Sequence, residues 1–130
     1  MTKVEPNKYL VLIRDDYLYG LGQLSGTRLE RDELIQQAVQ EFLDEVPFES
    51  RKQRIRQERA RVRLTRAADQ SPPYRMYLES VHISDNLVIR MDKENRYPSI
   101  DAPIYDALGS VLNAAIKVYL DKARPNYMAK

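Results

Sequence analysis

The stretch Val11-Leu12-Ile13-Arg14-Asp15-Asp16-Tyr17-Leu18-Tyr19-Gly20-Leu21 is echoed at an offset of 70 by Val81-His82-Ile83-Ser84-Asp85-Asn86-Leu87-Val88-Ile89-Arg90-Met91. In each copy an alternating β-prone run gives way to a polar helix start and then to apolar residues at helical spacing. A second echo follows at an offset of 77, where Leu34-Ile35-Gln36-Gln37-Ala38-Val39-Gln40-Glu41-Phe42-Leu43 matches Val111-Leu112-Asn113-Ala114-Ala115-Ile116-Lys117-Val118-Tyr119-Leu120. The offset grows because the second copy carries a longer loop before its last helix. Each copy therefore reads as strand, helix, helix. One such unit cannot bury its apolar face alone, so a chain that repeats it places the copies against each other.

Side chains alternate along a strand. With Val11 and Ile13 facing a core, Lys8, Leu10 and Leu12 fall on the opposite face. In the longer second strand, over 74–83, Tyr77, Val81 and Ile83 point inward, and Met76, Leu78, Ser80 and His82 point outward. Strand 8–14 is expected to pair antiparallel with strand 76–83, since neither has another partner. Asp15 or Asp16 caps a first helix to about Leu24, with Gly26 as a C′ residue, and Ser84 or Asp85 caps its counterpart to about Glu94. The second helix runs from about Glu30 to Glu45, where Pro47 stops it, and Glu30, Asp32 and Glu33 suit its positive N-terminus. Asn95 to Ser99 reads as a loop. In the second copy Asp101 caps the last helix, Pro103 sits in its first turn, and Arg124-Pro125 ends it. Phe42 and Tyr119, like Ala38 and Ala115, are expected at equivalent core positions.

A length of 130 residues fits one compact domain. The expected fold class is mainly α with a short two-stranded antiparallel ribbon. Residues 8–45 form the first unit, 46–73 a basic helical linker and 74–123 the second unit. The absence of cysteine excludes disulfides and thiolate metal sites, and the single histidine, His82, lacks companions for a metal. No metal, cofactor or enzymatic activity is expected. Only four glycines are present, and no glycine-rich phosphate loop or nucleophile elbow appears. The acidic pairs Asp15/Asp16 and Asp32/Glu33 read as helix-start residues, not catalytic dyads. No apolar run approaches the roughly 18 residues of a membrane span, and the N-terminus lacks a signal-peptide core, so a cytoplasmic protein without a membrane partner is expected.

The net charge of +2 hides an asymmetry. Residues 1–45 carry five basic and nine acidic residues, 46–75 nine and three, and 76–130 seven of each. Positive charge thus concentrates between the copies, which points to nucleic acid or an acidic partner. Within 50–68, eight basic residues stand against the single acid Glu58. The segment reads as a helix started by Ser50, with Ile55 and Val62 as a thin apolar seam, before Ser71-Pro72-Pro73 breaks it. It is either a clamp on a nucleic-acid backbone or a solvated strut.

The run Val11 to Leu18, followed by Leu29-Glu30-Arg31-Asp32-Glu33-Leu34 and on to Leu43, resembles the ribbon–helix–helix family of Arc and MetJ type. The likeness covers most of 8–45 and, less closely, 76–121, where Leu108 and Gly109 stand in place of Arg31 and Asp32. The resemblance implies an antiparallel ribbon that enters the DNA major groove. Fused double copies resemble regulatory and accessory proteins of plasmids and conjugative elements. On this reading the chain is a sequence-specific double-stranded DNA-binding protein, a transcriptional regulator or accessory factor, able to self-associate on DNA or to hold a protein partner. Its base-facing residues would be Lys8, Leu10, Leu12, Ser80 and His82. Backbone contacts would come from Arg14 and Arg31 near helix starts and from Arg51, Lys52, Arg54, Arg56, Arg59, Arg61 and Arg63. The competing reading is a protein–protein module, antitoxin-like or an assembly subunit, whose apolar ribbon face covers a partner. An unrelated small α+β domain is the third.

Overall fold

A computed structural model describes residues 1–67, 75–94 and 107–123, apart from the side chains of residues 59–67 and 107. In chain order the elements are β1 (Thr2–Glu5), β2 (Lys8–Arg14), α1 (Asp15–Leu24), α2 (Arg28–Glu45), α3 (Phe48–Ala67), β3 (Met76–His82), α4 (Asp85–Glu94) and α5 (Ala107–Ala123). The chain is mostly helical, with one three-stranded antiparallel sheet in the order β1-β2-β3.

β2 and β3 pair as the alternation predicts: Lys8 faces His82, Leu10 faces Ser80, Leu12 faces Leu78 and Arg14 faces Met76. The third strand was not expected. β1 reaches β2 through the turn at Pro6-Asn7, in which Asn7 has a φ of 61°. Proline followed by a residue that tolerates a left-handed backbone is the chemistry of a type II turn. β1 then pairs Thr2 with Leu10 and Lys3 with Tyr9, so the ribbon has a flanking strand on one side only.

Helices bury the inner face of the sheet. Val11, Ile13, Val81 and Ile83 are buried in one cluster with Leu21, Ile35, Val39, Phe42, Met91, Leu112 and Ile116. α1 and α4 each span ten residues and begin at Asp15 and Asp85, the separation of the first repeat. Gly20 lets α1 and α5 approach closely: a Cβ there would lie 2.9 Å from Leu120 Cδ1. Two expected core positions differ. Tyr77 is 48% exposed: it lies opposite Ile13 at the start of β3, and the next inward position, Glu79, is ion-paired with Arg31. Tyr119 is only half-buried, at the mouth of a cleft, whereas Phe42 and the pair Ala38 and Ala115 are buried.

The helix ends show where local chemistry departs from the expected caps. Thr27 caps α2, its hydroxyl accepting from Glu30 N at 3.2 Å while the Glu30 carboxylate accepts from Gly26 N at 2.8 Å. α2 therefore starts two residues before Glu30. Gly26 is not left-handed; the Ser25 hydroxyl donates to Leu21 O at 2.7 Å and closes α1 instead. Arg14 occupies the N-cap position of α1 without a side-chain cap, and Asp15 and Asp16 fall in the first turn. α3 begins at Phe48 rather than Ser50 and packs along α5, with Ile55 buried on the expected seam. The expectations for Val62, Ser71 to Pro73, Asn95 to Ser99, Asp101, Pro103 and Arg124-Pro125 lie outside the described residues.

Replacing Phe42, which is 1% exposed, by Ala is expected to cost about 3–5 kcal/mol through lost burial and the cavity left behind. Urea unfolding checks this through the transition midpoint at unchanged slope.

Candidate nucleic-acid interface

A two-stranded ribbon leaves one edge of each strand without a strand partner, and buried backbone groups there must find one. Helices supply it on both sides. Along β3, Arg31 Nη2 donates to Ser80 O at 3.1 Å, and Asp32 Oδ2 accepts from His82 N at 3.0 Å. Just beyond, Gln36 Oε1 accepts from Ser84 N at 3.1 Å. Along β2, beyond the reach of β1, Asn113 Oδ1 accepts from Arg14 N at 3.2 Å and its amide donates to Leu12 O at 2.9 Å. These ties are matched through the repeat. Gln36 and Asn113 are counterparts at the offset of 77, and Arg14 and Ser84 at the offset of 70, so each copy's second helix closes the other copy's strand.

The outer face of the ribbon brings together all five residues expected there. Leu10 lies across from Ser80, Lys8 from His82, and Leu12 from Leu78, which is 62% exposed. With Met76 these make an apolar stripe of Leu10, Leu12, Leu78 and Met76, and the accessible polar groups lie at the end formed by Lys8 and His82. Lys8 is held by Glu5 at 3.3 Å. The Ser80 hydroxyl is buried without a hydrogen-bond partner. His82 is exposed.

The two arginines read as phosphate contacts are turned inward instead. Arg31 pairs with Asp32 at 3.0 Å and Glu79 at 3.7 Å, and is buried together with Asp32. Asp32 thus serves the strand edge, not the helix start. Arg14 pairs with Asp16 at 2.6 Å, donates to the Tyr17 hydroxyl at 2.9 Å and lies 3.5 Å from Glu58. Tyr17 in turn donates to Glu58 Oε1 at 2.5 Å, and the guanidinium sits 4.2 Å from the Tyr17 ring centre. Burial works against the Arg14 charge, but the hydrogen bonds to Asp16 and the charges of Tyr17, Asp16 and Glu58 outweigh it, so its pKa is raised. Neither guanidinium is directed at an outside phosphate; both tie the ribbon to its helices.

The linker cations divide. Arg51 donates to both carboxylate oxygens of Glu94 at 2.9 Å and to Val46 O at 2.6 Å, with the Phe48 ring beneath it. Lys52 and Arg54 are half-buried and Arg56 is exposed. Arg59, Arg61 and Arg63 lie on the last turns of α3, with their side chains outside the described residues. Sequence reasoning missed Glu58, Gln36, Asn113 and Tyr17 as organising groups. The signal for Glu58 was present: it is the lone acid of the basic run and lies three residues after Ile55, on the docked seam.

β1 is fastened to the start of α4. The Asp85 carboxylate accepts from the Tyr9 hydroxyl at 2.6 Å, from Lys3 Nζ at 3.1 Å and from Asn7 N at 3.1 Å. The Tyr9 hydrogen bond, with those from Lys3 and Asn7, holds the Asp85 carboxyl below its ordinary value. Burial, and then Asp85 itself, pushes the Tyr9 phenol up to about 12. Away from the ribbon, a cleft of about 250 Å³ opens between the ends of α2 and α5, floored by Phe42 and Val118 and edged by Glu41 and Lys122. Among the described residues no group of three acidic or histidine side chains is placed to hold a metal, and no helix is long and apolar enough to cross a membrane. Comparison with family models, curated proteins and solved structures finds no match to this chain.

The clasp gives a two-sided pH prediction. Asp85, with its folded pKa depressed, stabilises the fold above its unfolded pKa, and this is lost as pH falls through the folded value. Asp85→Asn should therefore flatten the acid limb of a stability–pH curve. At the alkaline end, absorbance titration should find one tyrosine near pH 12 in the parent chain. In the variant that midpoint should move down, yet stay above the free-tyrosine value because burial remains.

Proposed function

We propose that this chain is a single-chain pseudo-dimer of two ribbon–helix–helix units that binds double-stranded DNA through the open outer face of β2 and β3. The observation that carries this reading is the crossed closure: Gln36 on Ser84 and Asn113 on Arg14 are counterparts through the repeat. The pairing of Leu10 with Ser80, residues matched by the 70-residue offset, falls near the middle of the ribbon, where a two-fold axis would pass. A ribbon built this way carries its helices on one face and offers the other to a groove. Lys8 and His82 supply the polar contacts to base edges, and Leu10 and Leu12 the apolar contacts to thymine methyl groups, whereas the Ser80 hydroxyl is buried. Because the two strands differ in sequence, the preferred site is not a palindrome. The biological role that goes with this reading is transcriptional regulation or an accessory task on a plasmid or other mobile element.

A second reading is favoured by the stripe of Leu10, Leu12, Leu78 and Met76, which suits a protein surface as well as a row of methyl groups. On that reading the ribbon covers a partner protein and the fold is an interaction module. One measurement separates the two: fluorescence anisotropy against duplexes selected by the chain from a randomised library, at two salt concentrations. DNA binding predicts that His82→Ala lowers discrimination between selected and random duplexes by about 1–3 kcal/mol for the lost base contact, with the salt slope nearly unchanged. Failure to bind any duplex at low salt would leave the protein-partner reading ahead.

A further inference from the structure

Two ties fix the direction of α3. Near its start, Arg51 is joined to Glu94 at the end of α4 farthest from the ribbon. Two turns later, Glu58 is joined to Arg14, the last residue of β2, and to Tyr17 in the first turn of α1. The helix therefore climbs from the base of the molecule to the level of the ribbon, beside α5. It does not stop there. α3 continues from Glu58 to Ala67, a further length of about 13 Å at 1.5 Å per residue. The sequence places Arg59, Arg61, Arg63 and Arg66 on these turns. Lys52, Arg56, Arg59, Arg63 and Arg66 recur at the spacing of a single helical stripe. The other end of the ribbon is different: its cations Lys8 and Lys3 are held by Glu5 and Asp85, and no basic helix stands beside it among the described residues.

We propose that the end of α3 is a one-sided flank for the phosphate backbone, so that a duplex lying on the ribbon is gripped beyond its Arg14 end and is bound in a single orientation. This rests on the DNA reading above and adds to it a direction. Among the described residues the basic helix has no counterpart in the second copy, so it breaks the two-fold symmetry of the ribbon there. Ile55, Glu58 and Arg51 set its angle from inside the protein, while the charge on its outer turns meets the polyanion. Charge complementarity selects duplex DNA over an apolar partner for this surface, since such a dense basic run costs energy against an uncharged face.

The test uses the full chain and sites it selects from a randomised 30-base-pair duplex library. Hydroxyl-radical footprinting is expected to show protection extending farther on one side of the selected sequence than on the other. Arg56→Gln, Arg59→Gln, Arg63→Gln and Arg66→Gln together should erase that extension, keep protection at the centre, and make log affinity against log salt shallower by about 0.9 per contact removed. Lys at the same positions should restore both. If the fourfold variant melts early by circular dichroism, the doubles Arg56→Gln/Arg59→Gln and Arg63→Gln/Arg66→Gln should each give part of the slope change. A footprint symmetric about the selected sequence, or unchanged protection and slope in folded variants, overturns the one-sided flank while leaving DNA binding intact. No binding of the parent chain to any duplex overturns the DNA reading, and the flank with it.

Discussion

Everything in this molecule depends on satisfying the outer edges of a two-stranded ribbon. β2 and β3 satisfy one another along a single edge, and a hairpin or ribbon left there would be marginal. The remaining carbonyl and amide groups lie between helices, where an unpaired group costs about 1–3 kcal/mol. β1 covers the first part of the β2 edge, and beyond it the chain uses side-chain amides and one ion pair rather than more sheet. Asn113 accepts and donates on β2 as a neighbouring strand would, and Arg31 with Asp32 does the same on β3. These polar groups hold the ribbon at a fixed angle to the core, so the apolar cluster below and the open face above are both consequences of how the edges are closed.

Burial of charge follows the same logic. Arg31 and Asp32 are neutralised by each other and by the strand they serve, and Arg14 by Asp16, Tyr17 and Glu58. A buried pair of this kind adds little net stability over an apolar substitute, but removing one partner strands the other. Their value here lies in position. Arg14 joins the end of β2 to α1 and α3 at once, so the placement of the basic helix is coupled to the end of the strand.

The parts legible in the sequence were those written as local periodicity. Val11, Ile13, Val81 and Ile83 declare their face by alternation, and Ile35, Ala38, Val39 and Phe42 by helical spacing; all are buried. What local pattern cannot convey is a partner distant along the chain. Arg14 and Arg31 read as surface cations because their environments are built by Glu58 and by β3. Asn113 and Gln36 look like ordinary polar residues until the strands they close are in place. β1 was hidden for a different reason: only Thr2 and Val4 favour a strand, and the turn at Pro6-Asn7 was the one cue. Tyr77 obeyed the alternation and still faces water at the start of β3, beside the ion-paired Glu79. For the candidate interface, the outer ribbon residues were legible and the inward-turned arginines were not.

The two ties of α3 also bear on how many chains make one folded unit. In a fused repeat, two molecules can exchange halves and rebuild the same contacts, so that a swapped dimer and a closed monomer differ mainly in the connecting segment. Here that segment is stapled to both halves of its own chain: Arg51 to α4 in the second copy, and Glu58 to β2 and α1 in the first. An exchange would have to break one set of ties or carry the helix across with it. α3 thereby couples the two copies through one helix, and any exchange of halves would have to remake its contacts.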